Sequence, residues 1–180
     1  MTSEKKLYVK KSEINRKGVF TQRRIPKGEL IRFMRGREIS VSQLKKRYEL
    51  GKERENLTDP FQIAKRKYLL LKKPCICINH SCLPNGGIRK KNELRALRNI
   101  QKDEEITYDY STTEWEDVKA WGGKCDIYKK LWKMQCNCKS KKCRKIIKEF
   151  PFLPSKLKKK YQMQHALPSH ILKRRRRNKL

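Results

Sequence analysis

The chain has 180 residues, of which 49 are Lys or Arg and 18 are Asp or Glu, so its formal net charge is +31. This length suits one domain with a modest core and attached segments better than two full-sized domains. The hydrophobic fraction of 36% is below the roughly 45–50% of ordinary globular chains, which predicts exposed, charged peripheral segments. No apolar run approaches the ~18–20 residues of a membrane span, and the first residues lack the apolar core of a secretory signal. We therefore expect no membrane association, and the basic composition excludes an acidic disordered protein.

The positive charge is concentrated toward the C-terminus. Residues 124–180 contain 20 basic and 2 acidic residues. Such a run favours phosphate-rich partners, because each neutralised phosphate releases counterions. The sequence therefore predicts binding of DNA or another polyanion through the basic C-terminal region. A lysine-rich, solvated surface without a partner remains the alternative.

The elements predicted along the chain are mostly short strands. A helix is expected from Val41 to about Leu50, with Ser40 as its cap. From Ser155 onward the Lys-rich chain predicts a mobile tail that is attached to the fold only in part. Strands are expected at residues 7–9, 19–20, 68–71, 75–78, 94–97 and 106–110, and after the turn at 26–28. For the short apolar runs 68–71 and 75–78, periodicity leaves helix open as the alternative. The sum is a mostly β domain.

The seven cysteines favour a metal over disulfides, since their number is odd and no export signal precedes them. Three of them form the tight group Cys136-x-Cys138-x4-Cys143. Thiolates at this spacing suit tetrahedral zinc, and the Lys and Arg residues between them offset the accumulated negative charge. A structural zinc needs a fourth ligand from outside the group. The remaining candidates are Cys75, Cys77, Cys82 and Cys125.

Two further segments carry polar groups at the ends of apolar strands. Residues Asn79-His80-Ser81 and Asn85 offer several hydrogen-bond donors and acceptors to a polar ligand. In Tyr108-Asp109-Tyr110 the two-residue period of a strand places both phenols on one side and the carboxylate on the other. Two such rings can line a narrow channel for an alkylamine. An amphipathic strand with two core tyrosines is the simpler alternative.

In this order, the three motifs resemble the SET-domain protein-lysine methyltransferases that carry a post-SET zinc segment. The motifs are Asn79-His80-Ser81-Cys82-x-Pro84-Asn85, then Ile106-Thr107-Tyr108-Asp109-Tyr110, then Cys136-x-Cys138-x4-Cys143. Residues 16–20 and 25–29 resemble the N-terminal cofactor motif of the family, although Arg16 stands where the family usually has a glycine. The likeness covers about residues 7–150. Residues 111–113 and 150–154 are similar to small stand-alone microbial members.

The resemblance implies a mostly β (α+β) fold. It would be a SET-domain β-clip of short strands with knot-like C-terminal threading and a small zinc-bound post-SET segment. The implied boundaries are residues 1–122 for the SET domain, 123–154 for the post-SET segment and 155–180 for a basic tail.

The resemblance also implies roles for individual residues. Tyr110 corresponds to the catalytic tyrosine, and Tyr108 to the position that sets how many methyl groups are added. The residues implied for S-adenosylmethionine binding are Lys17, Gly18, Val19, Asn79 and His80. The implied ligands of a structural Zn²⁺ are Cys82, Cys136, Cys138 and Cys143.

The implied activity is transfer of a methyl group from S-adenosylmethionine to the ε-amine of a protein lysine. A phenol at Tyr108 leaves less room for successive methyl groups than phenylalanine, so we expect mono- or dimethylation. The expected substrate is a histone or another basic, chromatin-like protein, and the expected state is a monomer. The alternative is a catalytically silent SET-like zinc module that binds nucleic acid through the basic region.

Two sequence features bear on where the protein acts. Seven acids and no basic residue lie between Asp103 and Asp117, and this stretch either attracts a cationic substrate or forms a solubilising loop. A microbial source implies the cytoplasm or the nucleoid. For an exported effector or a viral protein, the basic run Lys173–Arg177 could direct the chain to a host nucleus.

Overall fold

The computed structural model describes residues 6–49, 60–115 and 134–177. Within these ranges short strands predominate and three longer helices occur, which confirms the mostly β prediction. The strands are β1 Leu7–Lys11, β2 Lys17–Thr21, β3 Leu30–Phe33, β4 Gly36–Ser40, β5 Phe61–Ala64, β6 Lys67–Leu71, β7 Asn79–His80, β8 Gly86–Arg89, β9 Glu93–Ala96, β10 Glu105–Tyr108, β11 Met134–Gln135 and β12 Ile146–Ile147. The helices are α1 Val41–Glu49, α2 Ser155–Met163 and α3 Ser169–Arg177. Short 3₁₀ turns occur at Cys75–Cys77, Tyr110–Thr112 and Phe150–Phe152.

The strands form small sheets rather than one large one. Their orders are β1-β2-β10-β7, β3-β9-β8, β4-β6-β5 and β11-β12. Strand β10 pairs antiparallel with β2 and parallel with β7, and the parallel register joins Thr107 to Asn79 and Tyr108 to His80. This pairing brings the Asn-His motif beside the Tyr-Asp-Tyr motif, although about thirty residues separate them along the chain.

The core has a main part inside the strands and a second part at the C-terminal end. The main part is built largely from aliphatic side chains of the strands, including Val19, Ile31, Ile88, Leu94 and Ile106. The second part consists of Leu97, Trp115, Phe150, Leu153, Tyr161, Ala166, Leu167 and Ile171. The described helices are too short or too polar to cross a membrane.

Helix α1 begins where the sequence predicts, immediately after Ser40. The Ser40 Oγ accepts from the Gln43 backbone N–H at 3.2 Å, and the Gln43 Oε1 accepts from the Ser40 N–H at 3.0 Å. This reciprocal pair is a capping box, which satisfies two backbone donors at the helix start. Val41 and Leu44 are both buried on one face, as predicted; the Tyr48 side chain lies outside the described part.

The strand predicted at residues 75–78 is wrong. Residues Cys75–Cys77 form a 3₁₀ turn in which the Cys77 N–H donates to the Pro74 carbonyl and the Ile78 N–H to the Cys75 carbonyl. A short apolar run is buried equally well by a strand or by a helical turn, so periodicity does not distinguish them.

The prediction of a mobile tail from Ser155 is also wrong for residues 155–177. Helices α2 and α3 bury Tyr161 and Ile171 against the second core, and the Ser169 N–H donates to the Lys90 carbonyl at 2.7 Å. The apolar residues follow helical spacing, with Leu157 and Tyr161 four apart and Leu167 and Ile171 four apart. The many lysines and arginines of this segment obscure that spacing in the sequence.

Gly87 of β8 lies very close to the connection between helices α2 and α3. A Cβ atom at this position would lie 2.7 Å from the Ala166 Cβ and 2.8 Å from the Leu97 Cδ2. Contacts of this length force neighbouring groups apart. Docking of α2 and α3 against β8 therefore requires a residue without a side chain at position 87.

We predict that Gly87→Ala lowers the free energy of unfolding by about 1–3 kcal/mol through overpacking. Denaturant unfolding measures the change. Adding Ala166→Gly restores space, so the double variant should be more stable than the sum of the two single changes. Strictly additive effects would show that the close contact does not limit docking.

Candidate active site and metal centre

Asn79 ties strand β7 to the N-terminal loop. Its Nδ2 lies 3.0 Å from the Lys17 carbonyl oxygen, 2.7 Å from Glu105 Oε1 and 3.2 Å from Ser12 Oγ. The Ser12 hydroxyl also bonds the Glu105 carboxylate, at 2.8–2.9 Å. Asn79 thereby holds the start of strand β2, whose residues 17–19 are the predicted cofactor-binding backbone. Sequence reasoning missed Ser12 and Glu105, since neither belongs to a recognisable motif.

Gly18 lies directly over this hydrogen-bonded group. A Cβ at Gly18 would come within 2.3 Å of Glu105 Oε1 and 3.0 Å of Ser12 Cβ. A larger residue would displace the Glu105 carboxylate and with it the Asn79 amide. Two residues earlier, Arg16 adopts φ +33°, a left-handed conformation that glycine occupies at lower cost. The chain thus keeps the backbone shape that a glycine would favour, despite the arginine.

His80 is a buried, neutral imidazole with a defined tautomer. Its Nδ1 accepts from the Tyr110 backbone N–H at 3.2 Å, so the neutral ring carries its proton on Nε2, which lies 3.3 Å from the Cys82 sulfur. Burial lowers the pKa of His80 to about 4; the nearby Asp109 carboxylate acts against this and the Arg144 cation reinforces it. His80 therefore donates toward Cys82 and accepts from Tyr110.

The two tyrosines lie side by side, as predicted, although the strand expected at residues 106–110 ends at Tyr108 and Tyr110 begins a 3₁₀ turn. Their ring centroids are 4.8 Å apart, and Tyr108 also meets the ring of Phe61 edge-on at 6.2 Å. Tyr108 is only 4% exposed. The Tyr110 hydroxyl donates to the Ile78 carbonyl at 2.8 Å, and its ring meets His80 at 5.4 Å. The Tyr110 hydroxyl is thus held in one orientation.

A cleft of about 170 Å³ opens beside these residues. Asn79, His80 and Tyr110 line one part of it, and Asn15 and Asn137 add polar groups from the N-terminal loop and from the cysteine-rich segment. The structure therefore brings together the predicted site residues Asn79, His80 and Tyr110. Tyr108 stands behind Tyr110 and does not line the cleft.

Cys82 lies beside two cysteines of the predicted group, Cys136 and Cys138, together with His80. The ligand atoms of His80, Cys82, Cys136 and Cys138 all lie within 4.8 Å of one another and are buried. The Cys82 and Cys136 sulfurs are 3.7 Å apart. Cys143 packs against the same cluster, with its sulfur 3.7 Å from the Cys136 carbonyl oxygen.

The other candidates for a fourth cysteine lie elsewhere. Cys75 and Cys77 belong to the main core, and Cys125 falls outside the described residues.

Backbone N–H groups point at the sulfurs of this cluster. Cys82 Sγ accepts from the Arg144 N–H at 3.3 Å, Cys143 Sγ from the Lys145 N–H at 3.4 Å, and Cys138 Sγ from the Cys82 N–H at 3.5 Å. Burial raises the pKa of Cys82 to about 11. For Cys138 burial acts in the same direction, but hydrogen bonds from the Cys82 N–H and from the hydroxyl and N–H of Ser140 outweigh it and lower its pKa to about 6. Such donors stabilise thiolates, so this donor set fits a tetrahedral zinc ion.

Asp109 joins the site to the rest of the C-terminal half. Its carboxylate accepts two 2.6 Å hydrogen bonds from the Arg144 guanidinium and one of 2.8 Å from the Tyr161 hydroxyl of α2. One of its oxygens is also 3.5 Å from His80 Nδ1. Burial raises the pKa of Tyr161, and the Asp109 charge raises it further, so the phenol remains a donor. The sequence signals the position of Asp109 between two tyrosines but not its partners.

The acidic stretch is largely turned inward. Asp109 and Glu114 are buried, and Glu105 bonds Ser12 and Asn79. Glu114 accepts from the Gln62 backbone N–H, and Glu104 pairs with Arg98. Glu116 and Asp117 lie outside the described residues. These carboxylates bind the protein itself, which leaves little of the described stretch to attract a cationic substrate.

Comparison with known proteins agrees with this geometry. The sequence model of the SET domain family matches residues 16–111, which include Asn79, His80, Tyr108 and Tyr110. The chain is 38% identical over 122 residues to a variant-silencing SET domain-containing protein of Plasmodium falciparum (isolate 3D7). That alignment covers 59% of this chain and 5% of the relative, so the chain spans a small fraction of that protein's length. The chain belongs to the SET domain family, whose members are generally protein-lysine methyltransferases that use S-adenosylmethionine.

Proposed function

We propose that the protein transfers methyl groups from S-adenosylmethionine to a lysine of a protein substrate. The substrate we propose is a histone or another basic, chromatin-like protein, and the product is mono- or dimethyl-lysine. One observation carries the proposal. The Tyr110 hydroxyl is fixed on the Ile78 carbonyl at 2.8 Å beside a polar cleft lined by Asn79 and His80.

The cleft suits a polar cofactor. Asn15, Asn79 and Asn137 supply amide groups to it, and Gly18 keeps the adjoining backbone close to Glu105. The groups we assign to S-adenosylmethionine are Asn79, His80 and the backbone of residues 17–19. S-adenosylmethionine supplies, when bound, an electrophilic methyl group on a sulfonium.

The tyrosine rings suit the lysine side chain. Tyr110 lines the cleft and gives methylenes a ring to pack against, and the buried rings of Tyr108 and Phe61 stand behind it. A free lysine has a pKa near 10.4, and an apolar channel disfavours the ammonium form, so it increases the share of neutral amine. The Tyr110 hydroxyl donates its hydrogen bond to the Ile78 carbonyl. Its oxygen is therefore free to accept a hydrogen bond from the lysine amine and orient it. The rate acceleration then comes chiefly from holding the amine close to the methyl group in the right orientation.

A matched pair of phenol-to-phenyl substitutions tests the assignment. Tyr110→Phe removes the oriented hydroxyl and should lower kcat by about 100-fold or more, as loss of a positioned group does. Tyr108→Phe keeps the buried ring and should shift the product toward trimethyl-lysine, because it removes the oxygen that restricts the space. Methyl incorporation from labelled cofactor and mass spectrometry of a basic protein mixture are the measurements.

Both variants should bind S-adenosylmethionine as the parent protein does. Saturable cofactor binding without any methyl incorporation in the parent protein would favour the catalytically silent module instead. An unchanged product from Tyr108→Phe would remove the role given to this residue.

We propose further that the cysteine cluster holds a structural zinc ion through Cys82, Cys136, Cys138 and Cys143. By distance alone, the His80 imidazole is an alternative to the Cys143 sulfur as the fourth zinc ligand. However, His80 accepts a hydrogen bond at Nδ1, so the neutral ring carries a proton on Nε2 and has no lone pair there for a metal. His80 is therefore better placed to donate to the Cys82 thiolate and orient it.

Zinc content distinguishes the two arrangements. Cys143→Ala should lose the metal, whereas His80→Gln should retain one zinc per chain with affinity weakened by about 10- to 100-fold, as for a group that orients a ligand. Elemental analysis after dialysis against a zinc buffer measures this. Cys77→Ala, which changes a cysteine of the main core, is the control that should keep its zinc. Metal retained in Cys143→Ala and lost in His80→Gln would assign His80 as the ligand.

Tyr161 is proposed as a positioning residue for this site. Its hydroxyl bonds the carboxylate of Asp109, whose neighbour in sequence is Tyr110 and whose neighbour in space is His80. Tyr161 is 1% exposed, so water cannot replace the hydroxyl. Helix α2 thus reaches the candidate active site through one buried hydrogen bond.

We predict that Tyr161→Phe lowers kcat by about three- to tenfold with little change in KM, because small displacements of reacting groups slow the chemistry. Tyr8→Phe is the matched control, since it removes a tyrosine–carboxylate hydrogen bond of the same 2.8 Å length at an exposed site. Steady-state kinetics well below the unfolding temperature give the comparison. Equal kcat values for the two variants would show that Tyr161 contributes packing and does not position the active site.

A further inference from the structure

A concave surface lies between the β8–β9 turn and the two C-terminal helices. It encloses about 790 Å³, and we call it the helix groove. Its basic side chains are Arg89 and Lys90 from the turn, Lys159 from α2 and Arg176 from α3. The groove shares no lining residue with the cleft beside Tyr110.

The described lining of the helix groove is basic, although one of its cations, Lys90, is paired with an acid outside it. No Asp or Glu of the described ranges lines it. Helices α2 and α3 together contain nine Lys or Arg residues and no acidic residue. Lys159 and Arg176 are exposed to solvent. Lys90 forms an ion pair with Glu93 at 2.8 Å, outside the lining. The field in the groove is therefore that of a cluster of cations.

The cations are held on a rigid frame. The Ser169 N–H donates to the Lys90 carbonyl at 2.7 Å, and Arg89 Nη2 donates to the Gln164 carbonyl at 3.2 Å. These two bonds join the turn to the α2–α3 connection. The buried hydrogen bond of Tyr161 fixes α2 from the other side. A surface that is already formed loses less entropy when a partner binds.

The remaining lining indicates which partner fits. The apolar lining consists of Leu167, Leu172 and Met163, of which Leu167 is buried and Met163 is 81% exposed, and no Phe, Tyr or Trp of the described residues lines the groove. Unpaired bases bind chiefly by stacking on successive aromatic rings, and the described lining offers one ring, the imidazole of His165. Cations alone recognise phosphates, which lie on the outside of a duplex.

We propose that the helix groove binds the phosphate backbone of duplex nucleic acid without sequence preference. This site goes beyond methyl transfer and does not depend on it. It gives the +31 chain a way to reach basic proteins that are themselves bound to nucleic acid, since the shared polyanion offsets the repulsion between two cationic partners.

Fluorescence anisotropy with a mixed-sequence duplex DNA, measured over a range of salt concentrations, tests the proposal. The double variant Lys159→Gln/Arg176→Gln should weaken binding and reduce the slope of log K against log salt by about two, one for each lost phosphate contact. The control Lys11→Gln/Lys102→Gln removes the same charge from exposed positions that do not line the groove. It should leave the slope nearly unchanged.

Three results would overturn the proposal. The first is an equal loss in the groove and control variants, which would mean that net charge alone drives binding. The second is binding of an unpaired strand at least tenfold tighter than the duplex. The third is binding of an acidic peptide in the groove with none of the duplex. Methylation of a free peptide is assayed in parallel and should be equal in both double variants, so failure of the methyltransferase proposal would leave the DNA result interpretable.

Discussion

The buried carboxylate of Asp109 is the constraint on which the rest of the structure depends. It is 1% exposed, and an unpaired carboxylate in such a position would cost several kcal/mol. Arg144 donates two parallel hydrogen bonds of 2.6 Å to this carboxylate, and Tyr161 of α2 donates a third. Burial alone would lower the pKa of Arg144, but Asp109 raises it above its ordinary value, so the guanidinium remains charged. Loss of either partner would leave the carboxylate under-satisfied.

This arrangement makes three distant parts of the chain one unit. Asp109 follows β10, Arg144 lies in the cysteine-rich segment, and Tyr161 lies on α2. The Arg144 backbone N–H also donates to the Cys82 sulfur, so the same residue touches the carboxylate and the proposed zinc site. Folding of the cysteine-rich segment and shape of the Tyr110 cleft are therefore coupled. A metal at the cysteines would stabilise the position of Arg144, and through it that of Asp109.

The acidic and basic residues of the protein have different roles. Acids of the 103–114 stretch turn largely toward the protein, where they anchor Ser12, Asn79, Arg144 and the Gln62 backbone. Most basic residues stay at the surface, and those of the C-terminal helices surround the helix groove. Internal pairing of the acids leaves the surface more positive than composition alone suggests.

Motif order and local spacing determined much of this protein. The capping box at Ser40, the strands at Val19 and Ile106, and the side-by-side tyrosines follow from short-range stereochemistry. The family is recognisable from the Asn-His-Ser-Cys and Tyr-Asp-Tyr segments together. These features depend on residues close in sequence, which is why the pattern suffices.

Tertiary structure alone decided the contacts between distant segments. The choice of a 3₁₀ turn at Cys75–Cys77, the docking of α2 and α3 against Gly87, and the partners of Asp109 depend on which surfaces meet after folding. The Lys-rich composition of residues 155–177 predicted a mobile tail, because composition does not reveal that a few apolar side chains find a matching core. The same holds for His80, whose tautomer is set by a backbone N–H thirty residues away.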